Sequence, residues 1–176
     1  MSDTELSGLL DKLNKTQKET AKSKAAAVKA EDAWVAKFDK LKNDVIRPTF
    51  ETLGQKVRAR EHDFNIVETP FVRTDTRALP VEGSIRIDLY LNNERTRTII
   101  GQDRRPGLAF QTHHRSQMVQ VIISDITSRG GVVSKIGDFP LEKIDAAFIK
   151  DKFVALFKRL IAQHPADQPG GRSRGR

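Results

Sequence analysis

The hydrophobic and polar residues at the start of the chain follow the pattern of one long helix. No proline occurs between residues 2 and 46, and Gly8 is the only glycine there. The middle of this stretch is rich in alanine and lysine, which both favour helix. At about 1.5 Å per residue the helix would be about 68 Å long, which is more than one small domain can cover.

Apolar residues along this helix partly repeat every seven positions. Both ends of the resulting seam are apolar, whereas its centre is polar. One interpretation is a coiled coil, because such a seam is buried against a partner helix. The other is a helix whose last third, residues 34–45, packs on its own domain while the rest projects. We favour the coiled coil, with a partner-helix interface made of Leu6, Leu10, Leu13, Ala27 and Trp34.

The pattern changes twice after this helix. Pro48 lacks a backbone donor and crowds the carbonyl of Asp44, so the helix must kink or restart there. A second helical stripe then runs to about Arg60, and after Glu61 the hydrophobic period shortens to two, which is typical of strands. The predicted strands are 64–67, 71–72, 84–91, 94–100, 108–110, 118–126 and 132–136.

Because the connections are short, five or six of these strands are predicted to form an antiparallel meander. The pair Asn92-Asn93 has turn chemistry, because asparagine tolerates positive φ. This turn would place Asp88 opposite Arg97 and Tyr90 opposite Arg95 in the next strand. Opposite charges directly across a hairpin are stabilising, which supports the Asp88–Arg97 register.

A helix follows the sheet. It is predicted over about residues 146–163, with Asp145 as its N-cap. Its wide apolar stripe suits packing on one face of the sheet. Residues 165–176 are rich in Pro, Gly and Arg and are predicted to be a disordered basic tail. The sequence thus predicts an α+β fold, with a long helix over 1–47 and a sheet domain over 48–164.

Composition narrows the classes of protein that fit. The 176 residues include 31 Lys and Arg against 23 Asp and Glu, which gives a net charge of +8, and there is no cysteine. The missing cysteine excludes disulfide scaffolds, cysteine nucleophiles and thiolate metal sites. No apolar stretch approaches the roughly 18 residues of a membrane span. Residues 1–13 lack the pattern of a secretory signal. We therefore expect a cytoplasmic protein with no membrane partner.

Motifs for catalysis, metals or cofactors are weak. The glycine pair at 130–131 lies between strands and lacks the Lys-Ser/Thr that follows a phosphate loop. The histidines lack the spacing of a zinc site, and no serine stands in a Gly-x-Ser-x-Gly turn. We predict no metal and no cofactor. The pairs His62/Asp63 and His113/His114 leave a hydrolase or nuclease site open, provided that the fold brings them together.

Basic side chains supply candidates for a nucleic-acid-binding rim. The positive charge is spread along the chain, which mainly favours solubility and weak attraction to polyanions. Tyr90 is the only obvious exposed aromatic for base stacking, which argues against a dedicated nucleic-acid groove. The candidate contacts are Lys56, Arg58, Arg60, Arg95, Arg97, Arg104, Arg105 and Arg115.

These patterns favour a non-enzymatic interaction or adaptor protein over an enzyme. Its long helix would bind a second copy of the chain or the helix of a partner protein, and its sheet domain would present a binding surface. The alternatives are a basic nucleic-acid-binding accessory protein, and a hydrolase or nuclease whose site has no recognisable motif.

Overall fold

A computed structural model describes residues 3–74, 79–91, 105–126 and 130–163, the side chains of residues 3–6 excepted. The predicted α+β class is confirmed: a long N-terminal helix, an antiparallel sheet and a C-terminal helix follow one another. The helices are α1 (Asp3–Leu41), a π-helical turn (Lys42–Ile46), α2 (Arg47–Arg58), a 3-10 turn (Leu141–Lys143) and α3 (Ala146–Gln163). The strands are β1 (Asp63–Thr69), β2 (Ser84–Tyr90), β3 (Gly107–His113), β4 (Met118–Ser124) and β5 (Val133–Phe139).

The first helix continues from α1 through the π turn into α2. Pro48 was predicted to kink or restart the helix, and it lies in the first turn of α2, where its missing N–H is tolerated. Just before it, the N–H of Arg47 donates to the carbonyl of Lys42, five residues back. The chain therefore changes its hydrogen-bonding register there instead of restarting. Residues 3–58 form one unit, termed the rod helix below.

Each strand pairs with the next one along the chain, in the order β1-β2-β3-β4-β5 and always antiparallel, so the predicted meander is confirmed. The predicted register of β2 was wrong. The two sheet positions beside Asp88 are occupied by Asn65 of β1 and Gly107 of β3, so the cross-strand position that was predicted for Arg97 is taken. The predicted strand 94–100 and its turn lie outside the described residues.

Two further strands differ in length from their predictions. The predicted strand 71–72 is a single bridge between Val72 and Val81. The strand predicted over 108–110 is longer and covers the whole of β3. Thr112 occupies the next inward-facing position of this strand and is buried although it is polar. A polar residue in a buried strand position breaks the apolar pattern from which the strand was predicted.

The hydrophobic core lies on one face of the sheet. Alternate strand residues point to that face, as the period of two requires. The helices pack on the same side, α2 against β1 and β2 and α3 against β3. The N–H of Phe148 donates to Asp145 Oδ1 over 2.7 Å, which confirms the predicted N-cap of α3. The buried strand residues are Phe64, Ile85, Ile87, Leu89, Leu108, Phe110, Val119, Val121 and Ile123.

The last third of α1 is anchored in this core. Trp34 stacks on Phe38 with ring centroids 6.3 Å apart, and further along the rod helix Phe50 contacts Phe110 of β3 at 5.9 Å. Packing on the chain's own domain, the second of the two interpretations, therefore describes residues 34–46. The assignment of Trp34 to a partner-helix interface was wrong, because only 8% of this residue is exposed and its ring is taken up by the core.

Ion pairs fix the middle of the rod helix on the sheet. The buried Lys42 of the π turn bonds Asp39 at 2.8 Å and lies 3.7 Å from Glu68 of β1. Arg47 donates to the same Glu68 at 2.5 Å. Because a buried ammonium is costly without a partner, these carboxylates specify where the π turn sits on β1.

A second polar contact lies where α1 leaves the core. Arg73, in the segment after β1, donates to Asp32 at 2.8 Å and to Glu31 at 3.2 Å. The hydrogen bond to Asp32 is the main cause that raises the pKa of the Arg73 guanidinium. Pairs as exposed as these contribute about 0–1 kcal/mol each, so they orient α1 more than they stabilise it.

Replacing Phe38 by Ala should lower the free energy of unfolding by about 3–5 kcal/mol, because the ring is fully buried and its loss leaves a cavity. Urea denaturation followed by circular dichroism measures the change. Ile161→Ala, at a position of α3 that is 68% exposed, is the matched control and should change stability by less than about 0.5 kcal/mol. Equal effects of the two substitutions would contradict the placement of α1 in the core.

Candidate functional site

The first part of α1 projects away from the core. Every residue from 7 to 30 is exposed, a length of about 36 Å at 1.5 Å per residue. Leu9, Leu10 and Leu13 are each about half exposed, at 50%, 50% and 52%. Of the predicted partner-helix residues, Leu10, Leu13 and Ala27 therefore lie on the surface. The side chain of Leu6 lies outside the described residues.

The projecting leucines share one side of the helix and lie in an acidic stretch. Residues separated by three or four positions are neighbours on a helix surface, which places Leu9 and Leu10 beside Leu13. Residues 3–13, termed the acidic leucine segment, contain three carboxylates and one lysine. The stretch that follows, residues 15–29, contains five lysines and one glutamate. An apolar, negatively charged tip thus precedes a strongly basic stretch of the same helix.

A groove runs between the end of α2 and the middle of α3. It has a volume of about 550 Å³, within the range of about 300–1,000 Å³ that is typical of ligand-sized clefts. Its walls are apolar and include Leu53 and Val57 of α2 and Phe153 and Phe157 of α3. Val154, also of the lining, is 51% exposed. Apolar surface is therefore accessible in this groove, termed the α2–α3 groove below.

Positive charge surrounds these apolar walls. Lys56 of α2, Arg60 of the turn after it and Lys150 of α3 line the groove together with His62, which precedes β1. None of the described residues that line it is acidic. Lys56, Arg60 and Lys150 are exposed, and within the described part of the chain they make no salt bridge with a carboxylate. The groove is therefore suited to a ligand that is both apolar and negatively charged.

The predicted nucleic-acid contacts fall at two ends of the sheet. Arg58 bonds Asp63 at 2.9 Å, and Arg105 lies over the Tyr90 ring, 4.3 Å from its centroid. Because Asp63 pairs with Tyr90 in the sheet, the end of α2 with Lys56, and Arg60 just after it, lies at the same end as Arg105. Arg115 follows β3 at the opposite end. The other candidates, Arg95, Arg97 and Arg104, lie outside the described residues, as does the predicted pairing of Tyr90 with Arg95.

The two predicted histidine pairs do not meet. Asp63 pairs with Tyr90 at one end of β2, whereas the N–H of Thr112, next to His113, donates to the carbonyl of Gly83 at the other end. The seven residues between Gly83 and Tyr90 separate these levels by about 24 Å along the strand. A hydrolase site made of both pairs is therefore not assembled.

His113 and His114 have separate local partners. The buried His114 ring lies with Nδ1 2.6 Å from Glu82 Oε1, and the Thr112 hydroxyl donates to Glu82 Oε2 at 2.6 Å. His113 Nδ1 instead lies 2.6 Å from Ser116 Oγ.

In the described residues, the hydrogen-bond partner of the His114 ring is a carboxylate and that of the His113 ring is a serine. The carboxylate of Asp138 acts on His113 only through its charge. Neither histidine therefore has the hydrogen-bonded chain of a Ser-His-acid triad.

The sequence did not indicate Glu82 as a partner of His114. A glutamate in a loop about thirty positions before a histidine gives no sign that the two side chains meet. The adjacent pair at 113–114 did indicate opposite directions on a strand. Nearby, the hydrogen bond from Lys135 is the main cause that lowers the pKa of Asp138, with a smaller effect of His113. These contacts stabilise the β3–β4 end of the sheet.

No family model, curated protein or solved structure matches this chain. In the described ranges no cluster of three or more His, Cys, Asp or Glu side chains has the arrangement of a metal site. A search of the same ranges finds no helix with the length and hydropathy needed to cross a membrane. Two surfaces of the described residues therefore remain as candidate interaction sites: the acidic leucine segment and the α2–α3 groove.

Replacing Glu82 by Ala should lower the free energy of unfolding by about 1–3 kcal/mol, because Thr112 and His114 are left buried without this partner. Thermal or urea unfolding measures the loss. Glu142→Ala, at an exposed position of the 3-10 turn, is the matched control and should stay within about 0.5 kcal/mol of the unchanged protein. A Glu82→Ala protein as stable as the control would show that the cluster is not structural.

Proposed function

We propose that this chain is a non-enzymatic interaction protein that self-associates through the first part of α1, while its sheet domain anchors the helix and presents a binding surface. The supporting observation is the row of half-exposed leucines on a helix that its own domain does not cover. An isolated helix gains little stability from propensity alone and is usually stabilised by packing of its apolar side. Contiguous exposed apolar residues are typical of interaction surfaces.

The charge distribution along α1 favours a second copy of the chain as the partner. In a parallel, in-register pair, the lysines of residues 15–29 would face the same lysines of the partner, which is repulsive. In an antiparallel pair the two basic stretches do not face each other, and the carboxylates of the acidic leucine segment can approach positive charge near the end of α2 of the other copy. Such complementarity favours correct partners and suppresses wrong ones. An antiparallel arrangement therefore separates like charges and brings unlike charges together.

Leu10→Lys/Leu13→Lys should weaken self-association about a hundredfold, because two apolar side chains are lost from the interface and two charges are added. Sedimentation velocity over a range of concentrations measures the effect. The two positions are half exposed, so unfolding of the domain should be unchanged. Ala26→Lys/Ala30→Lys adds the same charge about 150° around the helix and should leave association intact. A wild-type chain that stays monomeric at every concentration would refute the proposal.

A nucleic-acid-binding accessory role is the second candidate. The observation that favours it is the placement of Lys56, Arg60 and Arg105 at one end of the sheet, with Arg105 over the Tyr90 ring. Cations at this end of the sheet would contact phosphates, and Tyr90 would contact one base. Arg58 contributes less, because Asp63 already pairs with it.

This second candidate predicts affinity for a single-stranded oligonucleotide that falls steeply between low and physiological salt. Lys56→Ala/Arg60→Ala should reduce the affinity about tenfold at low salt and flatten the salt dependence, because two phosphate contacts are lost. Fluorescence anisotropy measures both quantities. Arg115→Ala, at the opposite end of the sheet, is the control. The absence of any binding at low salt would eliminate this candidate.

A further inference from the structure

We infer that the α2–α3 groove of one copy receives the acidic leucine segment of a second copy. The inference rests on the proposed self-association and names the surface on which the projecting helix docks. The inference is based on two surfaces that have opposite charge and that both expose apolar side chains. One is residues 3–13 of α1, and the other is the cleft at the end of α2.

The chemistry of the two surfaces is complementary. The groove offers apolar surface, namely the half-exposed Val154 and the partly exposed Phe157, to leucines that are themselves half exposed. Its three exposed cations have no carboxylate partner among the groove-lining residues, whereas the segment carries three carboxylates. A helix that lays an apolar side into a groove with oppositely charged edges is a recurrent mode of recognition. A purely polar or a basic segment would fit this groove less well.

The groove cannot be filled by the segment of its own chain. Leu10 and Val57 belong to the same uninterrupted rod helix and lie about 70 Å apart along it, at about 1.5 Å per residue. For the segment to fold back onto its own groove, the helix would have to break between Leu10 and Val57. The first proline in this interval is Pro48. The segment that enters the groove must therefore come from another molecule.

The length of the rod helix also predicts that two molecules form a closed dimer and not an open chain of molecules. If two rod helices run antiparallel with residue 10 of one beside residue 57 of the other, they cross near residue 33 or 34 of each. The two-fold operation that makes one contact then makes the second, so both segments and both grooves are occupied. Such an isologous arrangement closes as a dimer. Docking also buries the groove's cations against carboxylates, which makes the association salt-sensitive.

A charge exchange in the full-length chain tests this docking. The segment variant Asp3→Lys/Glu5→Lys and the groove variant Lys56→Glu/Arg60→Glu should each raise the dimer dissociation constant about tenfold or more, because like charges then meet at both contacts. An equimolar mixture of the two variants should associate nearly as tightly as the unchanged chain. In that heterodimer one contact is unchanged and the other has both of its charges reversed. Sedimentation equilibrium measures all three dissociation constants.

The controls separate docking from misfolding and from general charge effects. Arg115→Glu/Lys143→Glu makes the same change in net charge at exposed positions outside the groove and should leave association unchanged. Lys56→Gln/Arg60→Gln removes the groove charges without adding acidic groups at the end of α2, where they oppose the helix dipole. This variant should weaken association less than the Glu variant and should unfold like the unchanged chain.

The outcomes distinguish this inference from the proposed function. Rescue in the mixture supports docking in the groove. If Leu10→Lys/Leu13→Lys abolishes the dimer but the groove variants do not weaken it, self-association stands and the groove inference is overturned. Loss of oligonucleotide binding in the groove variants, with the dimer intact, would overturn it in favour of nucleic acid as the occupant. If neither the leucine nor the groove substitutions change a wild-type monomer, both the inference and the proposed function fall.

Discussion

Continuity of the rod helix is the constraint on which the rest of the structure depends. One end is fixed in the core by Trp34 and Phe38, and the other carries Leu9, Leu10 and Leu13 beyond the reach of the sheet. A flexible connection between the two ends would let these leucines collapse onto their own domain, as apolar surface tends to do. Because uninterrupted helix joins them, the leucines stay exposed and out of reach of their own sheet.

The π turn is what allows this helix to remain both continuous and buried on one side. Phe50 follows Phe38 by twelve residues, which in an uninterrupted α-helix would place the two rings about 120° apart around the axis. One additional residue in a turn reduces this angle to about 20°, so both rings can enter the same core. Both are fully buried. The turn therefore corrects the phase of the apolar stripe at the point where Pro48 would otherwise disturb the helix.

The period of hydrophobic residues was sufficient to predict most of the fold. It identified the long first helix, the meander and α3 with its Asp145 cap, because each of these elements has a regular pattern of its own. It failed where the outcome depended on distant residues. Asp88 pairs with Gly107 and not across the predicted turn, and Glu82 reaches His114 from another loop. Trp34 was misassigned for the same reason, since a heptad position does not indicate whether the partner belongs to the same chain.

The candidate site was only half visible in the sequence. The apolar end of the helix was predicted through Leu10 and Leu13, but its carboxylates were not part of that prediction. The α2–α3 groove combines residues about 100 positions apart, so no local pattern indicates it. The net charge of the chain explains why a segment of opposite sign matters for association. Two copies with a net charge of +8 repel each other at long range. In the proposed dimer the acidic leucine segment has the charge that opposes this repulsion, so its carboxylates would direct the neighbouring leucines to a positively charged surface.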